Sequence, residues 1–330
     1  MRGGHMMKTL TGWVAGAALA VGILGATTVP GRAQTINLTI GTGAAGGVYI
    51  ALGSAICQAA EKEIPHLRCK AVKTKGSIDN LIGLKKGLFD IGIVQSDIQY
   101  QAVHGTGVFA KIGALPGMRA MFSAHAEALA ILARPGSGIQ TLDDLAGKRI
   151  NIGTVTSGTN ATMRLLFGAK GWTAGSFAQV LNLPVTSQYH DLCTGKIDAT
   201  AYLVGHPNAV VNKMLRMCDA HLVDVSGPEV DRLIAANPYS IHALIPMDDY
   251  DRVPKDVPTF GILATVMTTE RADANLIYQV TRAVFENLGM IRRQHPSFHR
   301  LQPWEMARRG ITAPYHPGAV RYLRQVGRLP

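Results

Sequence analysis

Short apolar blocks alternate along this chain with amphipathic stretches, and the alternation predicts strands and helices in turn. The first three strands are predicted at Ile36–Ile40, Leu67–Lys73 and Phe89–Val94, and the helices that follow them at Val48–Lys62, Ser77–Lys86 and Asp97–His104. A compact apolar run such as Phe89–Val94 is typical of a parallel strand that is buried on both faces. Repeated β-α-β units predict an α/β fold in which helices cover a sheet.

A second series follows the same order. Strands are predicted at Glu127–Arg134, Arg149–Gly153, Ile197–Val204 and Gly261–Thr268, and helices at Thr141–Gly147, Asn160–Ala169, Ala209–Arg216 and Ala274–Asn287. A looser region that contains prolines, Pro228–Pro258, interrupts the series. Two similar α/β lobes fit this pattern better than one large sheet. We expect residues 34–123 and 259–330 to form one lobe and residues 124–258 the other.

The N-terminus predicts export. A basic residue, Lys8, precedes an apolar stretch from Leu10 to Val29, and small residues occupy positions 31 and 33. This order is that of a secretory signal peptide, which we expect to span residues 1–33 and to be cleaved near Ala33. An uncleaved membrane anchor is the alternative. The expected location of the mature chain is the periplasm.

Composition and charge narrow the classes of partner. The chain has 330 residues with a formal net charge of +11, and removing residues 1–33, which carry three basic and no acidic residues, leaves +8. A positive net charge of this size is compatible with binding to nucleic acid, to an anionic membrane or to an anionic ligand. Export and the scattered placement of the basic residues argue against nucleic acid. We therefore expect a small anionic ligand as the partner of a monomeric chain.

The four cysteines predict disulfides. Cys57, Cys69, Cys193 and Cys218 all lie in the mature chain, and an even number in an oxidising compartment favours pairing. Four cysteines allow three connectivities, of which the spacing favours the local pairs Cys57–Cys69 and Cys193–Cys218. No Cys-x-x-Cys occurs and the histidines are dispersed, so neither a metal site nor a cofactor is expected.

The glycine-rich turn between the first strand and its helix is the strongest candidate for binding. Glycines let the backbone approach a ligand, and the helix start presents N–H groups to an anion. Gly41, Gly43 and Gly46 also match the dinucleotide pattern G-x-G-x-x-G. A dinucleotide site needs an acidic residue about 20 residues later, but the second strand ends at Thr74-Lys75. We therefore prefer a small-anion loop to a dehydrogenase or a purely structural turn.

Polar residues at the ends of other predicted strands complete the candidate site. In an open α/β sheet, ligands bind beyond the carboxyl ends of the strands. The candidate ligand-binding residues are Thr42, Gly43, Tyr49, Ser77, Asn80, Gln95, Ser96, Asp97, Ser157, Gly158, Thr159 and His206.

Several of these candidates have a second interpretation. Tyr49 can simply pack in the core, Ser77 and Asn80 can cap a helix, and Asp97 can cap the next helix or receive an ammonium group. His206 can contact the ligand or line the hinge. The chain contains serine, histidine and aspartate residues that could form a catalytic triad, but no G-x-S-x-G motif supports one.

Several short motifs together resemble one known family. They are Gly41–Tyr49, Thr74–Asn80, Asp90–Asp97, Leu142–Gly153, Ser157–Thr159, Gly195–Ala199, Gly205–Asn208 and His316–Ala319. In this order they are similar to the TAXI-type solute-binding proteins of TRAP transporters, within the type II class of periplasmic binding proteins. Ile50 and Ala51 depart from the aromatic and proline of the family pattern.

The resemblance implies a non-enzymatic binding protein. It implies two lobes joined by a hinge, with the ligand in the cleft between them and delivery to TRAP permease subunits in the membrane. Glutamate, a related amino acid or a dicarboxylate such as 2-oxoglutarate are the expected ligand classes. An exported hydrolase or dehydrogenase, or a ligand sensor on the same scaffold, are the alternatives.

Overall fold

The computed structural model describes residues 35–330, together with Met1, Thr9, Leu10 and Gly12. The predicted signal peptide and its cleavage point at Ala33 therefore lie outside the described residues, apart from those four. Among the residues described, no helix is both long enough and apolar enough to cross a membrane.

Strands and helices alternate through residues 35–330. The strands are β1 (Ile36–Gly41), β2 (Leu67–Val72), β3 (Ile91–Gln95), β4 (Met118–Ala133), β5 (Arg149–Asn151), β6 (Gln179–Leu181), β7 (Ala199–Val204), β8 (His221–Leu222), β9 (Ile241–Ile245) and β10 (Val257–Thr269). The helices are α1 (Val48–Glu63), α2 (Ser77–Lys85), α3 (Ser96–His104), α4 (Gly158–Ala169), α5 (Val185–Cys193), α6 (Ala209–Met217), α7 (Pro228–Ala236), α8 (Ala274–Glu286), α9 (Leu288–Gln294), α10 (Pro303–Met306) and α11 (Pro317–Gln325).

Eight of these strands form one hydrogen-bonded path in the order β2-β1-β3-β10-β4-β7-β5-β6, while β8 pairs with β4 and β9 with β10. At one end, β1 pairs in parallel with β2 and β3; at the other, β5 pairs in parallel with β6 and β7. The central strands β4 and β10 run antiparallel to each other and to their neighbours. The sheet thus has a β1–β3 half and a β5–β7 half, each built of β-α-β units.

The two central strands are long enough to belong to both halves. β4 has 16 residues and β10 has 13. β10 pairs with β3 through Ala264–Met267, whereas β4 pairs with β7 through Ala128–Ala133. The register between β4 and β10 shifts twice near this crossing, and such bulges bend and twist strands. The predicted lobe boundaries, 123/124 and 258/259, fall inside these two strands, and the division into lobes stays a prediction.

Several predicted elements have different bounds in the structure. The strand predicted at Glu127–Arg134 begins earlier, at Met118. Arg119, Ser123 and His125 interrupt the apolar run in the sequence, but pairing with β10 continues through most of this segment. The looser region contains α7 and β9. Its helix begins at Pro228, a first-turn position where proline costs no hydrogen bond. The helix predicted at Thr141–Gly147 is only a short 3₁₀ turn, in which Asp144 accepts hydrogen bonds from Thr141.

Both predicted disulfides are confirmed. Cys57 on α1 pairs with Cys69 on β2, with 5.1 Å between their Cα atoms, and Cys193 pairs with Cys218 across 4.7 Å. The first bond fastens α1 to the edge strand that it covers, and the second joins the ends of α5 and α6. Each disulfide closes a short loop and so limits the conformations of the unfolded chain.

Candidate functional site

A cavity of about 150 Å³ lies where the two halves of the sheet face each other. The β1–α1 turn, the turn before α2, Gln95 and Glu127 line one side of it. The Gly153–Thr159 loop, the start of α5 and the end of β7 line the other side. The cavity is therefore built at the carboxyl ends of strands from both halves, which is where open α/β sheets bind ligands.

Four helices begin at the wall of this cavity, and one of them is α5, which starts at Val185. α1, α2 and α4 start at Val48, Ser77 and Gly158, and all three residues line it. The caps of α1 and α2 are glycines, so no side chain occupies the first N–H groups there, whereas Ser157 caps α4. Helix starts carry partial positive charge and unpaired donors, so their convergence favours a negatively charged ligand.

Seven of the twelve residues predicted from the sequence line the cavity. They are Gly43, Tyr49, Ser77, Gln95, Ser157, Gly158 and Thr159. Ser77 accepts a hydrogen bond from the backbone N–H of Gln95, and Thr159 accepts one from Leu203. Each hydroxyl can still donate its own proton to a ligand.

Thr42 and Asn80 do not line the cavity; they hold its walls in place. Asn80 is fully buried and donates to the carbonyls of Thr42 and Ile93, at 2.6 and 2.7 Å. Its own carbonyl accepts from the Thr74 hydroxyl at 2.8 Å. The capping interpretation of Ser77 and Asn80 is therefore wrong, because α2 begins after Gly76 and neither side chain caps it. Thr42 donates to the carbonyl of Val72 and ties β1 to β2.

Ser96 and Asp97 also lie outside the cavity lining. Ser96 donates to the carbonyl of Tyr239 and accepts from the N–H of Leu263. One carboxylate oxygen of Asp97 accepts from the N–H of Ile98 at 2.8 Å, and the other accepts from the Thr162 hydroxyl on α4 at 2.7 Å. Burial raises the pKa of Asp97 to about 6, and these hydrogen bonds oppose the shift. Asp97 thus links the two halves beside the cavity.

His206 lines a different cavity, of about 260 Å³, together with His125 and Ser297. Its Nδ1 lies 2.5 Å from the hydroxyl of Tyr250, and its Nε2 lies 3.2 Å from the carbonyl of Ala128. Burial lowers the pKa of His206 to about 4, so the ring is neutral near pH 7. The structure therefore separates His206 from the helix starts.

Glu127 is the main cavity residue that the sequence did not indicate as functional. It is 3% exposed and accepts a hydrogen bond from the Tyr49 hydroxyl at 2.8 Å. Burial, with a smaller contribution from the charge of Asp97, raises the pKa of Glu127 to about 8, although hydrogen bonds from Tyr49 and Gln95 oppose the shift. An acidic residue inside the apolar run 124–133 was the available signal. Lys75, Gln188 and Tyr202 also line the cavity and were not predicted.

Gln95 and Gly158 bring the two halves into contact at the cavity. Gln95 is buried at the end of β3, and its carbonyl oxygen has no hydrogen-bond partner among the described residues. A methyl group at Gly158 would overlap the amide of Gln95. Because glycine has no Cβ atom, Gly158 lets the two halves approach each other closely at this helix start.

Comparison with known proteins agrees with this architecture. A family model described as the NMT1-like family matches residues 40–327. The chain belongs to the NMT1-like family.

Solved structures share the fold of this NMT1-like protein. MatC from Rhodopseudomonas palustris with bound malate is 12% identical, with a TM-score of 0.57 over 90% of this chain and 98% of that chain. The alkanesulfonate-binding protein SsuA from Xanthomonas axonopodis pv. citri, bound to MOPS, is 17% identical, with a TM-score of 0.50 over 90% and 81%. At these identities the likeness shows the fold, and the predicted α/β class of type II periplasmic binding proteins is confirmed.

Within the described part of the NMT1-like protein, no group of three or more His, Cys, Asp or Glu side chains is placed to hold a metal ion. Its cavity offers helix-start N–H groups, hydroxyls of serine, threonine and tyrosine side chains, an exposed lysine and a buried carboxyl group.

Proposed function

We propose that this protein is an extracytoplasmic solute-binding protein that captures a small organic anion between the two halves of its sheet. The observation that carries the proposal is the convergence of four helix starts, from both halves, on one small cavity. When the halves close, the ligand charge is removed from water. Its contacts with N–H groups then become stronger, because the surroundings are less polar. The anions bound to MatC and SsuA, malate and MOPS, support this class of ligand.

The ligand classes that we propose are glutamate or a related amino acid and dicarboxylates such as 2-oxoglutarate. Gly43, Ser77, Gly158 and Thr159 offer donors to a carboxylate. Lys75 lies at the exposed rim and adds a positive charge there. Delivery to a TRAP-type permease, as the TAXI resemblance implies, completes the proposal.

Calorimetry and thermal shift with a panel of anions test the binding function. The panel contains L-glutamate, 2-oxoglutarate, malate and methanesulfonate, with putrescine and choline as cationic controls. We expect at least one anion to bind and to stabilise the fold by about 2.7 kcal/mol at 100 times its Kd. Stabilisation by the cations alone, or by no compound, would contradict the proposal. Turnover of a bound compound would favour the enzyme alternative.

Export is part of the proposal and has a direct test. The intact mass of protein from the periplasm, measured without reductant, should correspond to residues 34–330 with two disulfides. Reduction should add four hydrogen atoms to that mass. A product that retains residues 1–33 would point to a membrane anchor instead, and four free thiols would show that the disulfides do not form.

A further inference from the structure

Glu127 occupies an unusual place for an acidic residue in an anion site. It projects from β4, a strand shared by both halves, and lines the same cavity as four helix starts. Tyr49 donates its only hydroxyl proton to Oε2 of Glu127 at 2.8 Å, in a buried contact. An ionised carboxyl group in this position would repel the anion that the helix starts attract.

The groups around Glu127 do not neutralise a negative charge. From α1 it faces Tyr49, from β7 Tyr202 and from the start of α3 Asp97, which is itself acidic. On β4, Nε2 of His125 lies 3.9 Å from Oε1 of Glu127. Burial, with the charge of His295, lowers the pKa of His125 to about 3, so this ring supplies no positive charge near pH 7. Lys75 lines the cavity from the exposed turn before α2.

A neutral carboxyl group suits the remaining contacts. Gln95 lies at the same wall, and its buried carbonyl oxygen has no partner among the described residues. A protonated Glu127 has one O–H donor, which can serve either this carbonyl, after rotation of the amide, or an oxygen of the ligand. The ionised form has no donor to offer to either oxygen.

We propose that Glu127 acts as a neutral carboxylic acid that donates a hydrogen bond to the bound anion, so that ligand binding is coupled to proton uptake. This inference rests on the proposed function of the same cavity and adds to it a determinant of specificity. A ligand that presents an oxygen anion to Glu127 favours its protonated form. A ligand that presents an ammonium group there would instead favour ionisation and release a proton.

The direction of the pH dependence follows from the raised pKa. In the free protein Glu127 has a pKa of about 8, and a bound anion raises that pKa further because it disfavours a second negative charge nearby. The affinity for the anion is therefore highest well below pH 8, where Glu127 is protonated, and it falls as the pH rises through that value. Between pH 7 and pH 9 we expect the Kd to increase about tenfold, with uptake of about 0.5 proton per ligand at pH 8.

Calorimetry measures both the Kd and the proton uptake. The ligands are 2-oxoglutarate and L-glutamate at pH 6 to 9, and two buffers of different ionisation enthalpy at pH 8 give the number of protons taken up. The Glu127→Gln variant keeps the size and a donor but cannot titrate, so its Kd should change less than about threefold from pH 7 to pH 9. Glu286→Gln is the matched control. Glu286 lies on the surface of α8 in an ion pair with Arg282, and this variant should keep the wild-type pH dependence.

A second measurement makes the inference independent of the ligand. Carboxyl-labelled protein observed by ¹³C NMR should show one glutamate that titrates near pH 8 and disappears in Glu127→Gln. Titration of Glu127 below pH 6, proton release on binding, or a Kd independent of pH would overturn the inference while leaving anion binding intact. Failure of every anion in the panel to bind would overturn the proposed function and this coupling together, even where the NMR titration occurs near pH 8.

Discussion

Replacing Gly158 by alanine should weaken the binding of organic anions about 100-fold. Gly158 is the first residue of α4 and touches the amide of Gln95 from the opposite half of the sheet. A methyl group there would overlap that amide, and the space open to the displaced amide is the cavity that Gln95 lines, where it would compete with the ligand. Overpacking of this kind costs about 1–3 kcal/mol, and the cost falls on the closed form that retains the ligand.

Gly168→Ala is a matched control on the same helix. A Cβ atom at Gly168 would meet no atom within 4 Å, so alanine fits there and should leave affinity unchanged. Because alanine favours a helix interior over glycine, this variant should be up to about 1 kcal/mol more stable. Calorimetry with the anions that bind the wild type, together with urea unfolding, separates the two effects. Wild-type affinity in Gly158→Ala would show that contact between Gln95 and Gly158 is not needed for binding.

Replacing Asn80 by alanine should lower the free energy of unfolding by about 3 kcal/mol. Asn80 makes two buried hydrogen bonds, to the carbonyls of Thr42 and Ile93, and accepts a partly buried one from the hydroxyl of Thr74. Removal of the amide takes a buried donor from the carbonyls of Thr42 and Ile93, of which the Thr42 carbonyl keeps the Thr74 hydroxyl at 3.0 Å. Each unsatisfied buried group costs about 1–3 kcal/mol, and the space left by the side chain adds to the loss. Urea unfolding monitored by circular dichroism measures the loss.

Asn275→Ala provides the comparison for Asn80→Ala. Asn275 is exposed on α8, where it accepts one hydrogen bond from Arg321, and alanine is a better helix former. Its stability should stay within about 0.5 kcal/mol of the wild type. Equal stabilities for the two variants would mean that Asn80 does not hold the three segments together. Asn80 would then again be a candidate ligand-binding residue.

The sequence located the parts of the site whose chemistry is local. Glycines before Val48 and the Ser157-Gly158-Thr159 loop were recognisable because a tight turn and a helix start depend on residues that are adjacent in the chain. The same holds for the buried strand β3 and for the order of strands and helices, which follow from hydrophobic periodicity. Local cysteine spacing likewise indicated both disulfides.

Tertiary structure decided which of these polar residues meet a ligand and which meet one another. Tyr49 and Glu127 are 78 residues apart, and Asp97 and Thr162 are 65 residues apart, yet each pair shares a buried hydrogen bond. Asn80 matches a helix cap in sequence but lies at the junction of three segments.

The difference between the two kinds of prediction has one physical cause. The α/β class, the glycine-rich turn and the helix starts could be predicted from the chain, because backbone conformation responds to neighbouring residues. Only the folded chain places Glu127, buried, at a cavity where helix starts converge, because burial and electrostatic surroundings depend on segments that are distant in sequence.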